Sequence, residues 1–161
     1  MVLPIDVEDY SFRFFKTLNM DVKLTSNEYG EWDIVFDDTN NDWVNCTGFD
    51  SLANACIIAI MTRFREENFL PPYEDFGCRV HELIKTNKSK NILYLIELYI
   101  TETLESIRRI KKVNWVVVED NPNNNMYNYG VRFSVTAVRD EDYDENVESL
   151  DLDIIEEQFY I

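Results

Sequence analysis

Between Ile92 and Ile107 the chain places Ile92, Leu95, Ile96, Tyr99, Ile100, Thr103, Leu104 and Ile107 at intervals of i, i+3, i+4, i+7, i+8, i+11, i+12 and i+15. Only a helix of 3.6 residues per turn gathers that set onto one face. Each apolar side chain buried this way is worth about 1.5–3 kcal/mol as an upper figure, so this helix must organise the core. Its start is predicted at Ser89 or Asn91 and its end at Arg108. Leu93, Tyr94 and Leu98 widen the apolar face, which implies contact on more than one side.

The flanking segments fix what this helix can pack against. Upstream, Leu52, Cys56, Ile60 and Phe64 recur every four residues, with Asp50 or Ser51 placed to cap a helix start. Pro71 and Pro72 stop that helix, which is predicted to end near Asn68. The loop 71–77 sets Tyr73 and Phe76 around Glu74 and Asp75, and Gly77 is predicted to take a conformation a side chain would forbid. A short helix over 79–85 follows.

Extended segments surround these helices. Trp32, Ile34 and Phe36 alternate with Asp33 and Val35, residues 37–42 supply turn chemistry, and Trp43 to Cys46 resumes the strand, which reads as a β-hairpin. Residues 22–25 form a short strand. Val113–Val118 and Val131–Arg139 flank the Asn-rich turn 121–125 and make a second hairpin. Near the end, Leu150, Leu152 and Ile154 alternate with Asp151 and Asp153, as in a strand that closes the protein's own sheet or is donated to a neighbour's. The aromatic cluster Tyr10, Phe12, Phe14 and Phe15 needs a core or a partner. The expected fold class is α+β: a single domain with a small antiparallel or mixed sheet packed on about three helices. Residues 31–139 form that domain, 1–30 an N-terminal extension and 140–161 an acidic C-terminal arm.

Charge narrows the function. The chain's 161 residues carry a net charge of -16, yet 45% hydrophobic content is that of a globular domain. Residues 1–50 hold eleven acids and three bases, residues 79–112 eight bases and four acids, and residues 140–161 ten acids and no base. An acidic balance of this size opposes nucleic acid and anionic membrane surfaces, since both attract proteins chiefly through their phosphate and other anionic groups. No apolar run approaches the roughly 20 residues of a membrane span, and residues 1–15 lack the basic start and apolar stretch of a signal peptide. Cys46, Cys56 and Cys78 are an odd set without paired spacing, as expected of reduced thiols in a cytoplasm.

Candidate chemistry is sparse. Cys78 and His81 share a helical face, but zinc needs further ligands and nucleophilic catalysis needs an orienting third group. Glu66, Glu67, Glu74 and Asp75 are the carboxylates a lysozyme-type glycoside hydrolase would use, although acidic pairs are common in a chain with 31 acids. No catalytic residue, cofactor or metal is assigned. The run Arg108, Arg109, Lys111 and Lys112 complements a helix C-terminus, but that role needs one or two cations rather than four. Its surplus is assigned to docking an acidic partner. An acidic mimic of nucleic acid is a further alternative, which the basic centre fits poorly.

In this order the elements resemble the baseplate wedge and sheath-initiator family of contractile phage tails, related to components of R-type bacteriocins and type VI secretion baseplates. The resemblance covers roughly residues 32–139. It rests on Trp32-Asp33-Ile34-Val35-Phe36, Gly48-Phe49-Asp50-Ser51-Leu52, the run 61–67, the loop 71–77 and the helix running into Ile107-Arg108-Arg109-Ile110. The family's Glu-Pro-Arg appears here as Ile107-Arg108-Arg109, so only Arg109 matches, and its Gly-Glu appears as Glu66-Glu67. The resemblance implies a non-enzymatic structural protein of a virion or tail-particle baseplate, assembled in the bacterial host cytoplasm. It implies six copies around the tube, with sheath subunits, other wedge proteins and tail tube or tube-adaptor proteins as partners. Sheath polymerisation would start there by strand exchange and charge docking. The expected partner-binding residues are Arg108, Arg109, Lys111, Lys112, Phe76, Gly77, Leu150, Leu152 and Ile154.

Overall fold

The structure, a computed structural model, describes residues 21–26, 32–66, 74–84, 86–120, 129–138 and 154–161. The aromatic cluster at 10–15, Pro71 to Tyr73, the Asn-rich turn, Leu150 and Leu152 lie outside the described residues.

Helix α1 spans Gly48–Met61 and helix α2 spans Lys90–Glu105. Ser89 caps α2, its side chain accepting the Ile92 amide. The predicted stripe of α2 is the buried one: Ile96, Ile100 and Leu104 are fully buried, with Ile92, Tyr99 and Ile107 packed against the same cluster. Tyr94 and Leu98, which widen the stripe, face solvent.

Two helical expectations are corrected. The segment after Cys78 is a single 3-10 turn, Arg79–Glu82, so the described residues hold two α-helices rather than about three. Helix α1 starts earlier and stops earlier than its apolar spacing suggests. Thr47 is its N-cap without a side-chain hydrogen bond, which places Asp50 and Ser51 inside the first turn. At the other end Thr62 turns extended, and its hydroxyl donates back to the Ile58 carbonyl. The chain then runs beside residues 76–78: Cys78 N–H donates to Thr62, Phe64 N–H to Cys78 and Arg65 N–H to Phe76. Tertiary backbone pairing thus takes over at Thr62, where helical periodicity alone would continue to Phe64.

The described residues also form nine strands, all pairing antiparallel. Strands β7 (Ile110–Asp120), β8 (Tyr129–Ala137) and β9 (Ile154–Tyr160) form a sheet in that order, with β8 central. Residues 154–161, expected within an acidic arm, supply its third strand. Tyr129, Val131, Phe133 and Val135 of β8 are fully buried. Helix α2 lies over β7 and α1 contacts β9. Strand β7 carries irregularities at Lys111 and Asn114, and the Asn114 amide at the second donates to the hydroxyls of Ser134 and Thr136.

The expected hairpin over residues 31–47 is part of a three-way junction. Strands β1 (Asp21–Val22), β2 (Leu24–Ser26), β3 (Trp32–Ile34), β4 (Phe36–Asp37), β5 (Asp42–Trp43) and β6 (Asn45–Cys46) pair as β1 with β6, β2 with β3, and β4 with β5. Each of three chain segments therefore changes partner at its middle residue. There Lys23 N–H donates to Val44, Val44 N–H to Val35 and Val35 N–H to Lys23, all at 2.8–2.9 Å, which closes a ring of backbone hydrogen bonds. Two contacts tie the junction to the core. Trp32 meets Phe159 edge-on at 6.3 Å, and the Asn54 side chain of α1 donates to the Val22 carbonyl.

Candidate docking surfaces

The basic run sits elsewhere than at a helix end. Helix α2 closes at Glu105 with no cation in its last turn. Arg108 and Arg109 occupy the turn that follows, while Lys111 and Lys112 lie in the first residues of β7. Their number is therefore not explained by the helix dipole. Arg108, Lys111 and Lys112 are exposed, and Arg109 is half-buried near Cys56, its carbonyl accepting the Val138 amide. Among the described residues none of the four forms a salt bridge; the pairs present are Arg65–Asp75, Lys88–Asp120 and Arg132–Glu119.

Strand β7 is also an edge of its sheet. Among the described residues no strand pairs with its outer side. The Glu97 carboxylate of α2 accepts the Val118 amide at 3.2 Å and so covers the edge at that point. The end that bears Lys111 and Lys112 has no such cover among the described residues. An open edge of this kind is a template for another strand.

Phe76 and Gly77 belong to the clamp beside the end of α1. Gly77 has φ +104°, and a Cβ there would stand 2.4 Å from the Arg63 carbonyl oxygen, so the predicted need for glycine holds. The guanidinium groups of Arg65 and Arg79 both lie over the Phe64 ring, at 5.1 and 4.7 Å from its centroid. Arg65 also donates twice to Asp75. Gly77 is thus required by the backbone of this corner, and Phe76 supplies a carbonyl to it.

In the C-terminal strand Ile155, Phe159 and Ile161 point into the core, and Ile154 lies on the opposite, exposed side at the start of β9. Of the expected alternation only Ile154 is among the described residues, and it lies off the buried face. Glu157 occupies the inward position between Ile155 and Phe159, which hides the true alternation from a hydropathy reading. Burial, then the charge of Asp50, pushes its carboxyl above the ordinary carboxylate range.

The thiols are arranged as core groups. Cys46, Cys56 and Cys78 are all buried and free. Burial pushes the Cys56 thiol up to about 12, and raises Cys78 and Cys46 as well. Cys78 Sγ donates to the Tyr99 carbonyl, while His81 Nε2 lies 3.1 Å from the Ile60 carbonyl, so the two side chains are engaged separately. Of the acids considered for glycoside hydrolysis, Glu66 accepts the Arg63 amide and Asp75 pairs with Arg65. Glu74 is exposed, and Glu67 lies outside the described residues.

One surface has no counterpart in the sequence reading. Ile34 and Phe36, from the alternating arm of the expected hairpin, and Trp43, from its other arm, are 48%, 53% and 56% exposed. The alternation is real, but the change of partner at Val35 turns this stretch away from the core. No protein-family model matches the chain, and no curated protein matches it.

Proposed function

We propose that the protein is a structural assembly component of a contractile injection machine, a baseplate subunit of a phage tail or R-type bacteriocin. In this reading it initiates sheath polymerisation around the tail tube. Its partners are sheath subunits, other wedge proteins and tube or tube-adaptor proteins, with six copies around the tube. The observation that supports this best is the open edge of β7, whose second and third residues are exposed lysines lacking any carboxylate partner among the described residues. A partner strand adding there would gain main-chain hydrogen bonds, and acidic residues on it would complete the charge pairing. The order of elements that resembles the wedge and sheath-initiator family supplies the identity of the machine. No feature of Glu66, Glu74 or Asp75 favours a glycoside hydrolase.

The test is charge reversal at the edge. The triple variant Arg108→Glu, Lys111→Glu, Lys112→Glu is expected to fold and melt nearly as the parent, because surface changes of this kind are usually within about 0.5 kcal/mol each. When co-expressed with tube, sheath and wedge proteins, it should fail to enter particles, and sheaths should be lost. Normal particles containing the variant would remove the reading.

A further inference from the structure

Strand β7 opens with Lys111 and Lys112, runs through an apolar middle around Trp115, and closes with Glu119 and Asp120. Its free backbone groups follow from the pairing on the other side of β8. Tyr129 exchanges both backbone hydrogen bonds with Ile161, and the ladder repeats at every second residue, so Val131, Phe133 and Val135 also spend theirs on β9. Their partners in β7 are Val118, Val116 and Val113, whose amides therefore point out of the sheet. An uncovered edge of this composition is a template for pairing.

The strand is also its own complement. Turned antiparallel about Val116, a second copy of β7 would set Lys112 opposite Asp120 and Trp115 opposite Val117, once on each side of the axis. Opposite charges, and an aromatic against a β-branched residue, are the cross-strand pairs that stabilise a sheet. Asp120 keeps its salt bridge to Lys88 but is 54% exposed, which leaves it open to a second cation.

One group stands in the way. Glu97 reaches from α2 over this edge, and its carboxylate accepts the Val118 amide at 3.2 Å. In the pairing about Val116 that amide is the next outward donor from the axis, so the incoming strand needs it. A carbonyl oxygen entering there would meet the carboxylate, and the strand can add only if Glu97 withdraws. Val118 is 5% exposed, so the bond also satisfies a buried donor and is costly to give up. We propose that Glu97 guards β7 against pairing with a second copy of this chain. The cationic start of the strand lies beyond that guard and stays available to an acidic partner. The inference rests on the same open edge as the assembly reading, but its test involves no tail protein, so either can fail alone.

The test is sedimentation velocity of the purified full-length protein over a concentration series, with a thermal melt of each variant. The parent should remain monomeric. So should Glu102→Ala, which removes the same charge from α2 at a residue bordering Phe64 and Arg79 instead. Glu97→Ala should dimerise at concentrations roughly tenfold or more below any association of the parent. Adding Lys112→Glu to Glu97→Ala sets an acid against Asp120 and should restore the monomer. If Glu97→Ala sediments as the parent does, whatever its melt, Glu97 only satisfies a buried amide and the proposal is overturned. A dimeric parent, equal association of Glu102→Ala, or association that survives Lys112→Glu would each overturn it too, by showing an unguarded edge, an effect of net charge, or an exposed core.

Discussion

Gly77 is the residue on which the corner beside α1 depends. Its backbone is in the left-handed region, and the space a Cβ would fill holds the Arg63 carbonyl. Gly77→Ala must either strain that conformation or push apart the backbone pairing of 62–65 with 76–78. We expect a loss of about 1–3 kcal/mol in urea denaturation. Gly130→Ala is the matched control: its Cβ would find nothing nearer than the Tyr160 side chain at 3.5 Å, and it should be tolerated. Glu157 makes a second residue-scale prediction. Its carboxyl is raised in the folded state, so the native protein holds that proton more tightly than the unfolded chain. The contribution to stability is therefore fully present below the ordinary value of 4.5 and is lost as pH rises through the raised folded value. Denaturation midpoints measured across that window should fall with pH in the parent relative to Glu157→Gln, with the difference between them flattening above it.

At the scale of elements, β9 is the most consequential piece. Its alignment with β8 runs from Thr136 opposite Ile154 to Gly130 opposite Tyr160, and it delivers Phe159 against Phe133 and Trp32. Removing residues 154–161 would expose one side of β8 and take Ile155, Phe159 and Ile161 from the core. Losing a buried Phe side chain alone typically costs about 3–5 kcal/mol. The truncated protein should therefore lose its cooperative thermal transition and bind hydrophobic dyes; a cooperative melt near the parent's would show that β9 is dispensable.

The elements differ in how legible they are. Helix α2 can be read because eight positions agree on one face and Ser89 marks its start. A C-terminal strand closing the protein's own sheet is legible, but the bounds and inward face of β9 are not, because Glu157 interrupts its apolar series while Leu150, Leu152 and Ile154 offer a cleaner alternation in the sequence. The end of α1 is displaced because Phe64 continues the i, i+4 series, although the chain at Thr62 is already captured by residues 76–78. The candidate docking residues behave similarly. Lys111 and Lys112 are conspicuous by composition, but the open edge they occupy depends on strand order.

For the molecule as a whole, the two surfaces lie towards opposite sides of one sheet. The basic run belongs to β7, and the acidic, aromatic junction packs beside β9. A protein of net charge -16 thus presents a cationic edge on one side and an anionic apolar face on the other, a polarity suited to bridging two unlike neighbours. The ring formed by Lys23, Val35 and Val44 bears on how that face behaves over time. Each of its three amides is held by a different segment, so breaking any one bond frees a residue that another bond requires. The three ribbons should consequently open together or not at all. Amide hydrogen exchange is the observable: Lys23, Val35 and Val44 should share a single protection factor, although the first is exposed and the others half-buried. The junction would then present its aromatic face as one rigid plate, already ordered when a partner arrives.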